Sequence, residues 1–107
     1  MVNQRRKGYR VERNIRLLLE NHGWKVVRAG GSLGEADLVC LKNGKCILMQ
    51  IKSTMKETLY YYGYMDKKFE GLPFYLVVDF GYGNIRIVQP QSKLKNIEGE
   101  MLVDFIK

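Results

Sequence analysis

The sequence predicts an α/β fold in which helices flank a central mixed sheet of five strands. Three observations lead to this prediction: apolar residues at helical spacing near the start, later segments with the composition of strands, and an Asn-Gly dipeptide that joins two of those segments. A helix, three strands, a short helix and two further strands, in that order, are typical of α/β proteins. The 107 residues are expected to form a single domain.

The helix is predicted over residues 4–22, where apolar residues recur on one face: Val11, Ile15, Leu18 and Leu19. Gly23 follows as a C-terminal stop, and Trp24 is placed to pack back on Leu19, as in a Schellman motif. Residues 24–28 are then predicted to form the first strand, and a glycine-rich loop follows it.

An Asn43-Gly44 dipeptide between two apolar runs marks a β-hairpin. Asn-Gly in this setting is the strongest short-range signal for a two-residue turn. The hairpin is predicted over residues 36–42 and 45–52. Both of its faces carry apolar side chains, so layers are expected on both sides of the sheet.

The hairpin brings three polar side chains to one end of the sheet. In the register that a two-residue loop imposes, Asp37 is opposite Gln50, and directly opposed residues project from the same face about 4.5–5.5 Å apart. Lys52, two residues further on, points to that face as well. A carboxylate, an amide oxygen and an ammonium group therefore converge, and together they could hold a hard divalent cation and the water that it activates.

Residues 53–72 have the least readable pattern of the chain. We predict a strand continuation through residues 60–62 and a short helix over residues 64–69.

The later strands are clearer. Residues 74–80 are predicted to form a strong strand, and a Gly81-Tyr82-Gly83 turn leads to a last strand over residues 85–88. The tail from residue 91 is polar. Residues 101–106 turn apolar again and are expected to return to the body of the protein as a strand or a short helix.

The charge of the chain is strongly basic. Eighteen Lys and Arg residues against eleven Asp and Glu residues give a net charge of +7. The basic residues crowd near the start, at Arg5, Arg6, Lys7, Arg10, Arg13 and Arg16. This distribution favours a polyanionic partner over a merely solvated surface. No apolar stretch approaches the roughly 20 residues of a membrane span, so we expect no membrane contact and an intracellular protein.

The two cysteines are not expected to form a disulfide. Cys46 faces Leu41 in the predicted register, whereas Cys40 faces Ile47 and lies on the other side of the sheet. A disulfide needs Cβ atoms about 3.5–4.5 Å apart. Two free thiols fit a reducing compartment.

Glu12 is a further candidate for the polar site. It lies at the edge of the apolar stripe of the helix, in line with Ile15 and Leu19, so its side chain can lean toward the sheet. The alternative is a simple ion pair with Arg16 one turn later, which stabilises a helix by a few tenths of a kcal/mol.

Several short motifs of the chain occur together in one nuclease family. They are Lys7-Gly8 with Glu12-Arg13, Val27-Arg28, Gly31-Ser32, Asp37-Leu38-Val39 and Gln50-Ile51-Lys52. With this set, the chain resembles the archaeal-type Holliday junction resolvases of the PD-(D/E)xK nuclease superfamily. The resemblance runs over residues 6–56 and, more loosely, 73–88. It implies a restriction-endonuclease-like fold and a cytoplasmic protein of a prokaryotic or virus-infected prokaryotic cell.

The resemblance implies a homodimeric endonuclease that cuts two opposed strands of a four-way DNA junction. The cofactor would be Mg²⁺, for which Mn²⁺ can substitute, with no small-molecule cofactor. Asp37, Gln50 and the backbone carbonyl of Ile51 would bind the metal ion, and Glu12 would bind or organise a metal near the scissile phosphate. Lys52 would orient the attacking water and stabilise charge in the transition state. The residues expected to contact DNA are Arg5, Arg6, Lys7, Arg10, Arg13, Arg28, Ser32 and Lys56.

Gln50 departs from the family pattern, which has a glutamate at this position. An amide oxygen can still ligate Mg²⁺, but the formal charge is lost and the metal affinity should fall. Three interpretations stay open: a natural active variant, a protein that binds junctions but cleaves them weakly or not at all, and a substitution introduced to trap an inactive form. Restoring the carboxylate with Gln50→Glu is expected to strengthen cleavage.

A second departure lies before Pro73, where the family has a longer helix and this chain has four tyrosines between residues 60 and 64. Tyrosines can stack on unpaired bases at a junction centre, or they can fill a core or a homodimer interface. Two rival functions also remain. One is another nuclease of the superfamily, acting on flaps, damaged sites or a restriction sequence, and the other is a catalytically impaired junction-binding protein.

Overall fold

The structure is a computed structural model. It describes residues 4–31 and 33–107, and for residues 4–7 it describes the backbone alone. The elements are α1 (Gln4–Asn21), β1 (Lys25–Arg28), β2 (Leu38–Lys42), β3 (Lys45–Ser53), β4 (Thr58–Tyr60), β5 (Lys68–Phe69), β6 (Leu72–Asp79), β7 (Ile85–Val88), β8 (Lys93–Lys95), β9 (Glu100–Met101) and α2 (Leu102–Phe105). No helix within these residues is long and apolar enough to cross a membrane.

The fold is α/β with a mixed central sheet, as predicted. In the described residues, the strands follow the order β1-β2-β3-β6-β7-β9, and β5 pairs with β6 beside this path. The pairing of β3 with β6 is parallel and the other pairings of the sheet are antiparallel. The sheet therefore has seven strands where five were predicted. The two additional strands, β5 and β9, have two residues each, which is too short for an alternating pattern.

Helix α1 ends as the sequence predicts. The backbone N–H of Trp24 donates to the carbonyl of Leu19 (3.1 Å), and that of Gly23 donates to Glu20 (3.1 Å). Gly23 adopts a φ of 86°, which a glycine reaches without steric cost. These are the two hydrogen bonds of a Schellman motif. The indole of Trp24 then donates to the carbonyl of Ile106 (2.9 Å), so it ties the end of α1 to the end of the chain.

The hairpin forms in the predicted register. Lys42 pairs with Lys45, and Leu38 pairs with Met49. Asn43 and Gly44 both have positive φ angles, 49° and 79°, as a type I′ turn requires. Both cysteines are free, with Cys40 buried and Cys46 partly buried. They lie on opposite faces because Cys40 pairs with Ile47 and Cys46 with Leu41.

The two faces of the sheet are covered differently. The apolar stripe of α1, Leu102 of α2 and Ile106 just after α2 pack on one face of the sheet. Their cluster also contains Ile15, Leu19, Leu38, Met49 and Val77. Loops and a two-stranded antiparallel ribbon of β4 and β8 cover the other face, where Tyr61 and Leu94 pack on Leu76 and Val78. Both faces are covered, as expected, but within the described residues the helices lie on one of them.

The predicted helix over residues 64–69 does not form. The segment has no regular secondary structure before β5, and the ring of Tyr64 packs edge-on against Phe69 and Phe74. Strand β4 ends at Tyr60 rather than continuing through residue 62. The polar tail contains β8, which pairs with β4 and was not predicted. Of the two structures left open for residues 101–106, the chain adopts mainly the short helix α2.

Candidate active site

Asp37 lies at the entry to β2, immediately before the first ladder pair. Its backbone N–H donates to the carbonyl of Met49 (2.7 Å), and its Oδ2 accepts a hydrogen bond from the backbone N–H of Ile51 (2.7 Å). Asp37 therefore spans Gln50 instead of forming a regular ladder pair with it, which is the one difference from the predicted register. The β3 backbone fixes the orientation of the carboxylate.

The electrostatic environment of Asp37 is unusual for an acid at a sheet edge. Burial raises its pKa above the ordinary value of 3.8, and the nearby carboxylate of Glu12 raises it further. The N–H of Ile51 and the cationic groups of Lys52 and Arg28 act in the opposite direction without cancelling the rise. Asp37, Glu12, Lys52 and Arg28 are thus close enough to influence one another.

Gln50 and Lys52 follow each other on one face of β3. Gln50 is 8% exposed, and among the residues that the structure describes it is the one polar or charged residue that is buried. Its neighbour on β6 is Leu76. The side chain of Lys52 is exposed at the end of the same strand. The convergence that the hairpin predicts is therefore present, and the roles assigned to these residues remain predictions.

Glu12 reaches the site from α1 and meets Arg28 of β1 there. The Arg28 Nε donates to Glu12 Oε1 (2.6 Å), and Glu12 is the more buried partner, with 15% of its side chain exposed against 54% for Arg28. The guanidinium also lies 5.5 Å from the centre of the Tyr9 ring. Glu12 thus pairs across to the sheet rather than along the helix to Arg16. Arg28, expected to hold a phosphate, is paired with an acid instead.

The other predicted DNA contacts are exposed or lie outside the description. Arg10 and Arg13 are exposed on α1, and Lys56 is exposed just beyond β3. Ser32 and the side chains of Arg5, Arg6 and Lys7 lie outside the described residues. His22 is at the opposite end of the hairpin, where its Nδ1 is 2.9 Å from the carbonyl of Leu18.

The structure adds a group of residues that the sequence analysis did not assign to the site. Tyr61 is 1% exposed. Its hydroxyl lies 2.9 Å from the carbonyl of Tyr64, 3.3 Å from Gln50 Oε1 and 3.5 Å from Glu35 Oε2. Glu35 in turn accepts the backbone N–H of Tyr64. Burial, followed by the Glu35 carboxylate, raises the pKa of Tyr61 to about 12.

Two sequence signals could have indicated this group. Glu35 is an acid two residues before Asp37, and Tyr61 is the central residue of an extended tyrosine run. Alternation in an extended chain buries Tyr61 and leaves Tyr60 and Tyr62 outside, at 58% and 87% exposed. The core role foreseen for the tyrosines is correct for Tyr61, whereas the two exposed rings keep the base-stacking alternative open.

The donor set of the site fits a hard divalent cation in kind. It comprises the carboxylates of Asp37 and Glu12, the amide oxygen of Gln50 and the carbonyl of Ile51, and oxygen ligands of these types suit Mg²⁺. Within residues 4–31 and 33–107, no three His, Cys, Asp or Glu side chains form a metal-binding group. The ligand set expected from the resemblance has a third carboxylate at position 50; with Gln50 there, we expect a modest metal affinity.

A cavity of about 490 Å³ lies away from this site. Trp24, Lys45, Ile47, Tyr75 and Phe105 are among its lining residues. Lys45 begins β3, whereas Gln50 and Lys52 lie toward its end, so the cavity is at the turn end of the hairpin. The candidate active site is therefore defined by its polar side chains, and this cavity is not part of it.

Comparisons with known proteins give a consistent result. The family model described as archaeal Holliday junction resolvase (Hjc) matches residues 3–104. The crossover junction endodeoxyribonuclease Hjc of Methanocaldococcus jannaschii is 35% identical over 60 residues, which are 56% of this chain and 44% of that relative. The match thus spans less than half of the relative's length. The solved structure of Archaeoglobus fulgidus Hjc, a Holliday junction resolvase from an archaeal hyperthermophile, is similar in fold, with a TM-score of 0.73 and 16% identity over 94% of this chain and 95% of that one.

Proposed function

The chain belongs to the archaeal Holliday junction resolvase family, and we propose that it is a structure-specific endonuclease that hydrolyses phosphodiester bonds of four-way DNA junctions. A nuclease family of this kind implies dependence on a divalent metal ion. We propose Mg²⁺ as that ion, with Mn²⁺ as a substitute, because the donor set consists of oxygen atoms.

The observation that carries this proposal is the grouping of Asp37, Gln50 and Lys52 at one end of the β2–β3 hairpin, with Glu12 leaning in from α1. Acid, amide and amine are brought together by backbone pairing rather than by flexible loops. A single acid beside an exposed Lys52 would not by itself indicate a reaction site. Charged groups that act on one another electrostatically beside a buried amide support a reaction site.

Each residue has a defined part in the proposed reaction. The N–H of Ile51 holds the Asp37 carboxylate in one orientation, and Gln50 supplies a neutral oxygen donor beside it. When bound, a divalent ion would lower the pKa of its water and neutralise charge on the phosphate oxygens. The exposed ammonium group of Lys52 would hold the attacking water and offset the charge that develops on the phosphate.

The Glu12–Arg28 ion pair has a part in DNA binding under this proposal. A phosphate group that binds the Arg28 guanidinium would release the Glu12 carboxylate for the metal side of the site, because the phosphate and the carboxylate compete for one guanidinium. Arg10, Arg13 and Lys56 would contact further phosphates without reading sequence, as a shape-selective enzyme requires.

We further propose that the active form is a homodimer. Two incisions at symmetrically opposed strands need two equivalent sites facing a two-fold symmetric substrate. Light scattering coupled to size-exclusion chromatography, with and without a junction, measures the mass directly. A single 12.5 kDa species at all working concentrations, still monomeric on the junction, would contradict this part of the proposal.

The decisive experiment is cleavage of an end-labelled four-way junction beside a linear duplex of the same arm sequence. We expect paired nicks in the junction with Mg²⁺ or Mn²⁺, none with EDTA, and little cleavage of the duplex. Asp37→Asn is expected to abolish cleavage and retain binding. Equal cleavage of the duplex, of flaps or of damaged DNA favours another nuclease of the superfamily. Binding without cleavage under either metal leaves the impaired junction-binding protein.

A further inference from the structure

Three oxygen atoms surround the buried hydroxyl of Tyr61, which can donate a hydrogen bond to one of them. A tyrosine hydroxyl donates a single hydrogen bond and can accept others. The shortest of its contacts is to the carbonyl of Tyr64 (2.9 Å), which can only accept. The contacts to Gln50 Oε1 (3.3 Å) and Glu35 Oε2 (3.5 Å) are longer. The hydroxyl proton is therefore assigned to the Tyr64 carbonyl.

This assignment decides the orientation of the Gln50 amide. With the proton directed to Tyr64, an amide oxygen facing the hydroxyl would place two acceptor atoms against each other in a buried site. A half-turn of the amide exchanges its nitrogen and oxygen at almost the same positions. The NH₂ group can then donate to the hydroxyl oxygen of Tyr61, and the negative charge of Glu35 on the same side favours a donor there.

We propose that Tyr61 and Glu35 are positioning residues for Gln50: they hold its NH₂ group and so leave its carbonyl oxygen at the end of the amide that has no protein partner in the described residues. The inference rests on the proposed function for its consequence, since that oxygen would then be available as a ligand for a divalent cation. It also gives a reason for Gln50 itself. A glutamate at this position would place a second carboxylate against the hydroxyl that Glu35 already approaches.

The packing around the hydroxyl makes the arrangement rigid. A Cβ atom added at Gly63 would lie 2.6 Å from the Tyr61 hydroxyl and 2.7 Å from its ring, and it would also collide with Glu35 Oε2. A side chain at position 63 must therefore displace the group. Position 63 accommodates the Tyr61–Glu35 contact because it carries no side chain.

The structure adds a condition to the expectation that Gln50→Glu strengthens cleavage. In the single variant, the new carboxylate and Glu35 share one hydroxyl, so the metal-free protein should melt at a lower temperature. Adding Glu35→Gln should restore most of the loss, because one carboxylate and one amide then face the Tyr61 hydroxyl again, with their positions exchanged. Glu98→Gln is the matched control, because Glu98 is also an exposed acid that accepts a backbone N–H, that of Lys95 (2.7 Å), far along the chain.

The orientation itself can be measured in metal-free protein by nuclear magnetic resonance, independently of any nuclease activity. We expect the side-chain NH₂ protons of Gln50 to show nuclear Overhauser effects to the Tyr61 ring and slow exchange with solvent. Tyr61→Phe should abolish the slow exchange, and Tyr75→Phe, which alters the opposite face, should not. Tyr61→Phe should also weaken Mn²⁺ binding about tenfold, as loss of a ligand's supporting hydrogen bond commonly does.

Three results would overturn the proposal: a Gln50 NH₂ group remote from the Tyr61 ring, a Gln50→Glu protein as stable as the parent, or a double variant no better than the single one. Failure to cleave junctions would instead count against the proposed function and leave these measurements intact. Gly63→Ala provides a second route, since it should move the Gln50 amide signals without altering any charge.

Discussion

At the scale of single residues, Asp37 is an acid whose surroundings in the fold disfavour its charged form. The carboxylate is partly buried and close to Glu12, and both effects raise its pKa. One backbone hydrogen bond from Ile51 and the charges of Lys52 and Arg28 favour the ionised form of this carboxylate. Such an acid destabilises the protein that contains it, and a bound cation or DNA-associated metal would relieve the cost.

Asp37→Asn should therefore stabilise the metal-free protein at pH 7 while abolishing cleavage. Asparagine keeps an oxygen for the Ile51 N–H and removes the buried charge, for a gain on the order of 1 kcal/mol. A carboxyl group whose pKa is raised on folding lowers the free energy of unfolding as the pH rises through the range between its unfolded and folded pKa. The advantage of the variant should thus shrink as the pH falls toward the ordinary value of 3.8, because the folded protein holds the proton of Asp37 more tightly than the unfolded chain does.

Urea denaturation of both proteins in EDTA, at pH 7 and again near pH 4, checks this prediction. The two proteins differ only at residue 37, so a stability difference that changes with pH reports on this carboxylate and on the groups with which it interacts. The prediction is wrong if Asp37→Asn is less stable than the parent at pH 7, or if the difference in their free energies of unfolding does not change with pH. Either result would show that folding does not disfavour the ionised carboxylate.

The residues of the site divide into those that local sequence predicts and those that it cannot. Asp37, Gln50 and Lys52 were predictable because a two-residue turn fixes which positions of the hairpin meet. The Glu12–Arg28 pair needed the packing of α1 across β1, so only the direction of Glu12 could be predicted. Tyr61 joins the site through the path of an irregular segment, which no local periodicity encodes.

At the scale of elements, the errors are concentrated where strands are short and pair with distant partners. Strand β4 has three residues, and its partner β8 lies more than thirty positions further along the chain, where Thr58 pairs with Lys95. Neither segment shows sustained alternation. The helix expected at residues 64–69 fails because the Tyr64 ring instead packs on Phe69 and Phe74. The long elements were predictable because α1 buries one periodic face, whereas β3 and β6 are continuous apolar runs of the length of a buried strand.

The C-terminal helix α2 is predicted to be essential to the stability of the core. Ile106 is fully buried and its carbonyl accepts the Trp24 indole N–H. Ile106→Ala keeps the carbonyl but leaves a cavity, so it should lower the free energy of unfolding by about 2–4 kcal/mol. Ile97→Ala is the control: that side chain is 77% exposed, and its loss should change stability by less than about 0.5 kcal/mol.

Thermal or urea unfolding of the two variants gives the comparison directly. Similar losses at positions 97 and 106 would mean that the end of the chain contributes no more than an exposed turn. Such a result would contradict the packing of α2 against the cluster around Ile15 and Leu19.

At the scale of the whole molecule, charge and fold combine at one end of the sheet. The net charge is +7, and the helix that carries Glu12 also carries the exposed cations Arg10 and Arg13. Lys52 and Arg28 are the cations that act on Asp37 directly, and the exposed arginines of α1 are expected to neutralise further phosphates. A polyanion bound at Lys52 and Arg28 would lie beside Asp37, whereas the apolar cavity lies at the other end of the hairpin.

The salt dependence of junction binding measures this arrangement. Binding in EDTA should weaken linearly on a logarithmic plot against salt concentration, with a slope of about −0.9 for each phosphate neutralised. Arg10→Ala and Arg13→Ala should each make the slope shallower by about one for each phosphate that the variant no longer neutralises, and they should weaken binding to four-way junctions and duplex alike. Lys45→Ala removes another exposed cation, at the turn end of the hairpin, and should leave the slope unchanged. If Lys45→Ala alters the slope as much as Arg13→Ala does, the DNA is attracted by net charge alone, and the arginines of α1 have no special part in positioning it.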